Sequence, residues 1–469
     1  MKQGLLKNLS VNTLQLIVNQ LLGLVIFYIL STGLDKNTFG QLNLVLAVLL
    51  AAFNILSMGI DQLIVKKIAA GGDVSSLLSL YFLHVLFAGI AFYGLLCLGS
   101  LFLPHAHSLY TLLLLIGAGK LMIFFSAPFK QAANGMERFR LLAYMLVISN
   151  FVRSCGLIFL ALTHGIGINH VVIIFISGDI GELLIGVLLF KRATKITFKL
   201  QWNATAYKQL LRESLPQTGV VLITSALARF DWIFIGFMVS AVKLAEYSFA
   251  YKVFEMSTLP LLSIAPLLIP LFTKMFQHAD IPINKLKLLI RAEMMIAALT
   301  SLVLNICWAP IIDRITANKY GMSNVNTIFI LSLCIPLLYL NNFLWTIYFA
   351  QGKLKMILTS FIITFSVNVA GDVALIPFLK NEGAAIAFFA ACLVQSVYFI
   401  KQNDIPQFNN IWRPVAFCTI CALISGFVFR FFFNYSWSSF PLSIMLYFFL
   451  LYITGQIRLA DLSEALIFN

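Results

Sequence analysis

Apolar residues run through this chain in long stretches, broken by short segments that hold most of its charge. Fourteen stretches lie at roughly 9–33, 40–60, 77–103, 109–128, 141–162, 170–190, 214–238, 246–271, 287–309, 325–349, 355–377, 383–400, 412–433 and 440–457. Each is near or above the ~20 residues that a helix needs to cross the hydrocarbon of a bilayer. The pattern predicts an all-α polytopic membrane protein with about 14 transmembrane helices.

The connecting segments set the expected orientation. With the N-terminus inside, the inner segments hold Lys66, Lys67, Lys130, Arg138, Arg140, Lys191, Arg192, Lys195, Lys199, Lys208, Arg212, Lys274, Lys285, Lys287, Arg291, Lys353, Lys355, Lys401, Arg413 and Arg458. The outer segments hold only Lys36, Lys243, Arg314, Lys319 and Lys380. Such a bias toward inner Lys and Arg orients membrane proteins. It places both termini in the cytoplasm and requires an even number of spans. Lys2 and Lys7 precede the first stretch without a small-residue cleavage site, so that stretch reads as an uncleaved first helix.

The halves of the chain echo one another. Ala133-Asn134-Gly135-Met136-Glu137-Arg138 follows span four, and Ala350-Gln351-Gly352-Lys353-Leu354-Lys355 follows span ten. Asn150 and Asn368 lie in the spans after them. Repeats of the same membrane orientation are related by an axis along the membrane normal. The expected organisation is an N-terminal six-helix lobe over 1–190, a basic cytoplasmic linker over 191–213, a second six-helix lobe over 214–401, and two further helices within 402–469. The two lobes are expected to form a central cavity.

Composition narrows the function. Hydrophobic residues make up 61% of the 469 residues and charged ones 11%, too apolar for a soluble protein of this length. The net charge of +14 is scattered through short loops, without a basic run or a basic helix with interleaved aromatics, which argues against nucleic acid. The seven cysteines lie in apolar stretches and read as packing residues, including the CxxC of Cys418 and Cys421. No metal-ligand motif, P-loop or nucleophile–base constellation is present, so no catalytic residue, metal or cofactor is expected. The longest outer loop, about 310–324, is too short for the outer catalytic platform of a membrane glycosyltransferase or polymerase.

Against that background, nine ionisable residues lie well inside apolar stretches: Lys120, Arg153, Asp179, Glu182, Arg229, Asp231, Lys252, Glu255 and Asp372. Facing lipid, they would cost on the order of 25 kcal/mol in total. They are therefore expected to face protein or a hydrated cavity, where such residues are functional candidates.

Several motifs resemble a known family. Thr38-Phe39-Gly40 opens span two, and Met58-Gly59-Ile60-Asp61 ends it. Leu215-Pro216 opens span seven, and Phe230-Asp231-Trp232-Ile233-Phe234-Ile235-Gly236 lies late in it. Tyr247-Ser248-Phe249-Ala250-Tyr251 opens span eight, and Glu382-Gly383-Ala384-Ala385-Ile386-Ala387 opens span twelve. In this order they resemble the polysaccharide flippases of the MOP superfamily, the Wzx-like O-antigen transporters. That resemblance implies a bacterial inner-membrane flippase that moves a polyprenyl-pyrophosphate-linked oligosaccharide to the outer leaflet by alternating access. It also implies coupling to an H+ or Na+ gradient, and polysaccharide polymerase and export machinery as partners. Lipid II flippases and MATE-type small-molecule exporters are the alternatives. Lys120 and Asp372 match no family pattern.

An anionic, glycosylated cargo gives the buried charges expected roles. Arg153, Arg229, Lys120 and Lys252 are the candidate phosphate-binding cations, with Arg153 first because no acidic residue stands one turn away. Pairing of Arg153 with a carboxylate on another helix competes with that role. Lys252 and Glu255 are spaced to pair with each other, whereas Arg229 and Asp231 diverge around their helix. Asn12, Gln15 and Asn19 fall on one face and suit sugar hydroxyls or interhelical hydrogen bonds. Asp179, Glu182, Asp231 and Asp372 are the candidate ion-coupling carboxylates. Asp179 and Glu182 share a face, so either one resists ionisation or each pairs separately with Arg153 or Lys120 on neighbouring spans. Arg153 and Asp372, paired across the two lobes, are an expected gate. Pro260, Pro266 and Pro270 are expected to bend span eight.

Overall fold

The structure is a computed structural model that describes residues 2–102, 107–163, 165–196, 200–258, 283–403, 410–433 and 439–457, with Leu261, Leu268 and Phe272 besides. For some helical residues within these ranges, 2–14 and 222–228 among them, only the backbone is described. Every regular element among the described residues is helical. The chain divides into two compact units, Met1–Ile233 and Phe234–Asn469.

The first unit is built from α1 (Lys2–Gly33), α2 (Lys36–Ser57), α3 (Ile60–Ala69), α4 (Val74–Phe102), α5 (His107–Gly135), α6 (Phe139–Leu162), α7 (Ile168–Thr194) and most of α8 (Ala204–Met238). Asp35 caps α2 by accepting the Thr38 backbone N–H at 3.0 Å, satisfying one of the orphan donors of a helix start. At the other end, Met58 and Gly59 take left-handed φ of 49° and 67°. That break ends span two at Ser57 and starts the short α3, an element that hydropathy alone does not separate. Tyr81, Phe124, Phe129 and Phe190 join Ile60 and Ile64 in a continuous core under this break. His84 ties it together: Nε2 lies 2.9 Å from the Leu56 carbonyl and Nδ1 lies 2.8 Å from the Tyr207 hydroxyl.

The second unit holds the last turn of α8, then α9 (Ala241–Ser257), α10 (Ile283–Ile315), α11 (Val325–Ala350), α12 (Leu354–Lys401), α13 (Trp412–Phe433) and α14 (Ser439–Ile453). As one straight helix, the 48 residues of α12 would run about 72 Å, more than twice the ~30 Å hydrocarbon core. Instead the chain doubles back at Lys380 (φ 53°, ψ −124°). A Cβ on Gly371 would lie 2.7 Å from Ala387 Cβ, and one on Gly383 would lie 2.6 Å from the Leu375 carbonyl oxygen. The glycines let the two arms of an antiparallel hairpin pack backbone to backbone. Expected spans eleven and twelve are these two arms. Asn341 on α11 fastens the second arm, donating to the Cys392 carbonyl at 3.0 Å and accepting from Ser396 at 2.7 Å.

Eight of the described helices are long and apolar enough to cross a membrane, the hairpin counting as one, and three shorter apolar helices accompany them. The protein is a multi-pass membrane protein. The helix of expected span eight is described as far as Ser257, and its three prolines lie outside the described residues.

Candidate functional site

The densest buried charge lies in the first unit, where α5, α6 and α7 pack together. Two glycines bring the helices close at Asp179. A Cβ on Gly119 of α5 would lie 2.8 Å from Asp179 Oδ2, and one on Gly178 of α7 would lie 3.1 Å from the Ser149 carbonyl of α6. Asp179 is fully buried. It pairs with Arg153 and accepts from the Ser149 hydroxyl at 3.1 Å, while Lys120 Nζ stands 3.7 Å from its other oxygen. The Arg153 guanidinium also covers the Phe175 ring, 4.5 Å from its centroid. One turn further along α7, Glu182 accepts the Lys130 ammonium at 2.6 Å.

Asp179 and Glu182 each have a cation from a neighbouring helix. The competing sequence expectation is realised, with Lys130 rather than Lys120 as the partner of Glu182. Lys130 was missed because span four was ended near Pro128. The helix runs through this proline to Gly135, which carries Lys130 inward from the loop. The apolar Phe129 and the small Ala132 and Ala133, all buried, were the available signal.

Beside the charge cluster is a cavity of about 440 Å³. Lys120, Ile123, Phe124, Ala127, Lys130 and Gln131 line it from α5, a spacing that follows one helix face. From α2 come Leu49, Phe53, Asn54 and Ser57, with Asp61 at the start of α3 and Tyr81 on α4 completing the wall. The two lysines thus border the cavity while Asp179 and Glu182 hold them from α7. Three cations stand against two carboxylates in this cluster (Lys120, Lys130 and Arg153 against Asp179 and Glu182), so the wall of α5 has a positive excess. Burial pushes the Asp61 carboxyl above its usual range.

The other expected residues are distributed elsewhere. Gln15 borders a shallow, mostly apolar groove with Arg140 and Tyr144. Asn19 accepts from Asn150 at 3.3 Å and donates to the Leu146 carbonyl at 3.4 Å, so it fastens α1 to α6. The side chain of Asn12 lies outside the described residues. Arg229 lies over the Trp232 ring, 4.3 Å from its centroid, and Asp231 Oδ1 accepts the Trp232 backbone N–H at 2.8 Å. In the second unit, Lys252 and Glu255 pair at 2.7 Å, and Asn368 donates to Asp372 at 2.9 Å. Sequence inspection passed over Glu293 of α10, which is buried with no hydrogen-bond partner on either carboxylate oxygen among the described residues.

With this buried charge cluster and its cavity described, comparison with known proteins supplies a family and a fold. The family profile described as "Polysaccharide biosynthesis protein" matches residues 5–276, more than half of the chain. The chain belongs to this polysaccharide biosynthesis protein family. Among solved structures, a lipid II flippase MurJ in an inward closed conformation aligns with a TM-score of 0.74 at 15% identity, covering 95% of this chain and 99% of that one. An inward-facing multidrug resistance MATE transporter of the MOP superfamily aligns with a TM-score of 0.65 at 14% identity, covering 86% and 98%. A MOP superfamily transporter from Pyrococcus furiosus, described as having a reversed polarity of its binding pocket, aligns with a TM-score of 0.56 at 15% identity, covering 86% of this chain and 94% of that one. The chain has the MOP superfamily fold. No curated protein matches it in sequence.

Proposed function

We propose that the protein is a flippase that carries a polyprenyl-pyrophosphate-linked oligosaccharide, the repeat unit of an O-antigen, capsule or exopolysaccharide, from the inner to the outer leaflet of a bacterial cytoplasmic membrane. The observation that carries this reading is the cavity face of α5, where Lys120 and Lys130 border about 440 Å³ of space beside Gln131, Asn54 and Ser57. Ammonium groups are point charges suited to phosphate. The amide and hydroxyl groups beside them suit sugar hydroxyls. Family membership supports the glycan, and the fold shared with a lipid II flippase supports an anionic lipid-linked cargo.

In this reading Arg153 is a positioning residue. Its pairing with Asp179 leaves Lys120 with a longer ion pair of 3.7 Å to the other oxygen of that carboxylate. Asp231 and Asp372 remain the proposed coupling carboxylates, with Asn368 orienting Asp372 through its 2.9 Å hydrogen bond. Coupling to H+ or Na+ supplies the work of moving a polar head group through an apolar layer. Both termini lie in the cytoplasm.

The test is complementation of a deletion strain with Lys120→Gln, reading surface glycan against protein abundance. Loss of surface glycan at unchanged abundance supports the cargo role of Lys120. Full complementation removes it.

A further inference from the structure

A second cavity, of about 320 Å³, lies wholly in the second unit. It is enclosed by the start of α10, the start of α13 and the turn after α14, three elements that pack against one another. Lys287 and Arg291 line it one turn apart on α10, and Arg413 faces them from the first turn of α13. No carboxylate lines it among the described residues. The positive end of the α13 dipole adds to the same potential. Among the described residues, Gln456, also in the wall, has no donor for its Oε1, and its amide nitrogen makes a long contact of 3.4 Å to the Thr454 carbonyl. That amide is free to turn its N–H groups toward an anion.

We infer that this cavity is a binding site for the phosphate of an anionic lipid. Phosphate is the shared chemistry, since Lys287, Arg413 and the Gln456 amide match its charge and its acceptors and no carboxylate lines the cavity among the described residues. A lipid source follows from the surroundings. Phe417 both lines the cavity and is exposed, and Ile420, Ile424 and Phe427 continue the exposed apolar face along α13. Trp412, exposed at the head of that helix, is the residue type that settles at the membrane–water boundary. The cavity thus opens where a lipid head group stands, with its chains running along the apolar face of α13. Basic pockets between membrane helices recognise anionic head groups in this manner.

The experiment is native mass spectrometry of the full-length, detergent-solubilised protein, titrated with dioleoyl phosphatidylglycerol, dioleoyl phosphatidylcholine or inorganic phosphate. The wild type is compared with Lys287→Gln/Arg413→Gln and with the charge-preserving Lys287→Arg/Arg413→Lys. Both side chains are exposed, and an unchanged elution profile and thermal midpoint certify the fold. Each cation near an anionic surface is worth about fivefold in affinity, so the neutral pair is expected to weaken phosphatidylglycerol binding about 25-fold. The charge-preserving pair is expected to restore it, and phosphatidylcholine binding stays unchanged. If inorganic phosphate binds the wild type, is lost in the neutral pair and no lipid is retained, the anion site stands with soluble phosphate as its ligand. Equal phosphatidylglycerol binding by wild type and neutral pair overturns the site. If the double variant does not fold, the single variants carry the same test at about fivefold each.

Discussion

Lys130 of α5 and Glu182 of α7 form an ion pair at 2.6 Å, and both side chains are almost wholly withdrawn from solvent. The pair joins the cavity-lining helix to the helix behind it. Removing one partner strands a buried charge, which costs about 3–5 kcal/mol, whereas replacing both by apolar residues is far milder. Thermal unfolding of the purified protein is expected to show Lys130→Met and Glu182→Leu each strongly destabilised, with the double variant recovering most of the loss. Additive losses in the double variant would show that the two residues act separately.

Close packing of α5 against α7 depends on Gly119. A Cβ there meets not only the Asp179 carboxylate at 2.8 Å but also the Ile176 Cα at 3.3 Å, and the backbone contact cannot swing aside. Gly119→Ala is expected to destabilise by about 1–3 kcal/mol, the usual cost of overpacking. The same substitution at Gly23, where nothing lies within 4 Å, is the control and is expected to leave the thermal midpoint unchanged or slightly raised.

These charges were legible in the sequence as a set, and their partners were not. Nine ionisable residues inside apolar stretches marked a polar interior, but helix periodicity fixes only neighbours on the same helix. It identified the Lys252–Glu255 pair, three residues apart on α9, and left Arg153 and Lys120 as alternative partners of Asp179, since these lie on different helices. Lys130 was lost for another reason: span four was bounded at about 128 and Lys130 was counted with the inner loop, while α5 runs on through Pro128 to Gly135. The expected spans 355–377 and 383–400 fall on the two arms either side of Lys380. The backbone-to-backbone closeness of those arms was invisible without coordinates.

The hairpin turn itself is strained. Lys380 takes φ 53° and ψ −124°, a conformation that glycine adopts readily and a side-chain-bearing residue does not. Lys380→Gly is expected to stabilise the protein by about 1 kcal/mol, read as a higher thermal midpoint. An unchanged or lower midpoint would mean that the lysine side chain holds the turn.

Asp61 gives a pH dependence with a defined sign. Burial raises its carboxyl pKa above the ordinary 3.8, so the folded state favours the protonated form. Ionised Asp61 therefore opposes folding above its raised pKa, and the penalty fades as pH falls toward and below the ordinary value. One of its oxygens, Oδ1, is buried without a hydrogen bond. Asp61→Asn is expected to stabilise at pH 7 by about 1 kcal/mol, the scale of an unsatisfied buried acceptor. Unfolding measured from pH 4 to 8 should show the gain shrinking toward the acid end. A gain that grows as pH falls would reverse the sign of this assignment.

The most direct measurement is the leaflet distribution of the lipid-linked oligosaccharide in cells lacking the gene, complemented with wild type or with Lys120→Gln. The flippase reading predicts that the lipid-linked unit accumulates on the cytoplasmic side in the deletion and in the variant, and clears with wild type. Intact glycan export in the deletion, together with altered tolerance to drugs or toxic cations, would contradict it and mark the protein as a small-molecule exporter.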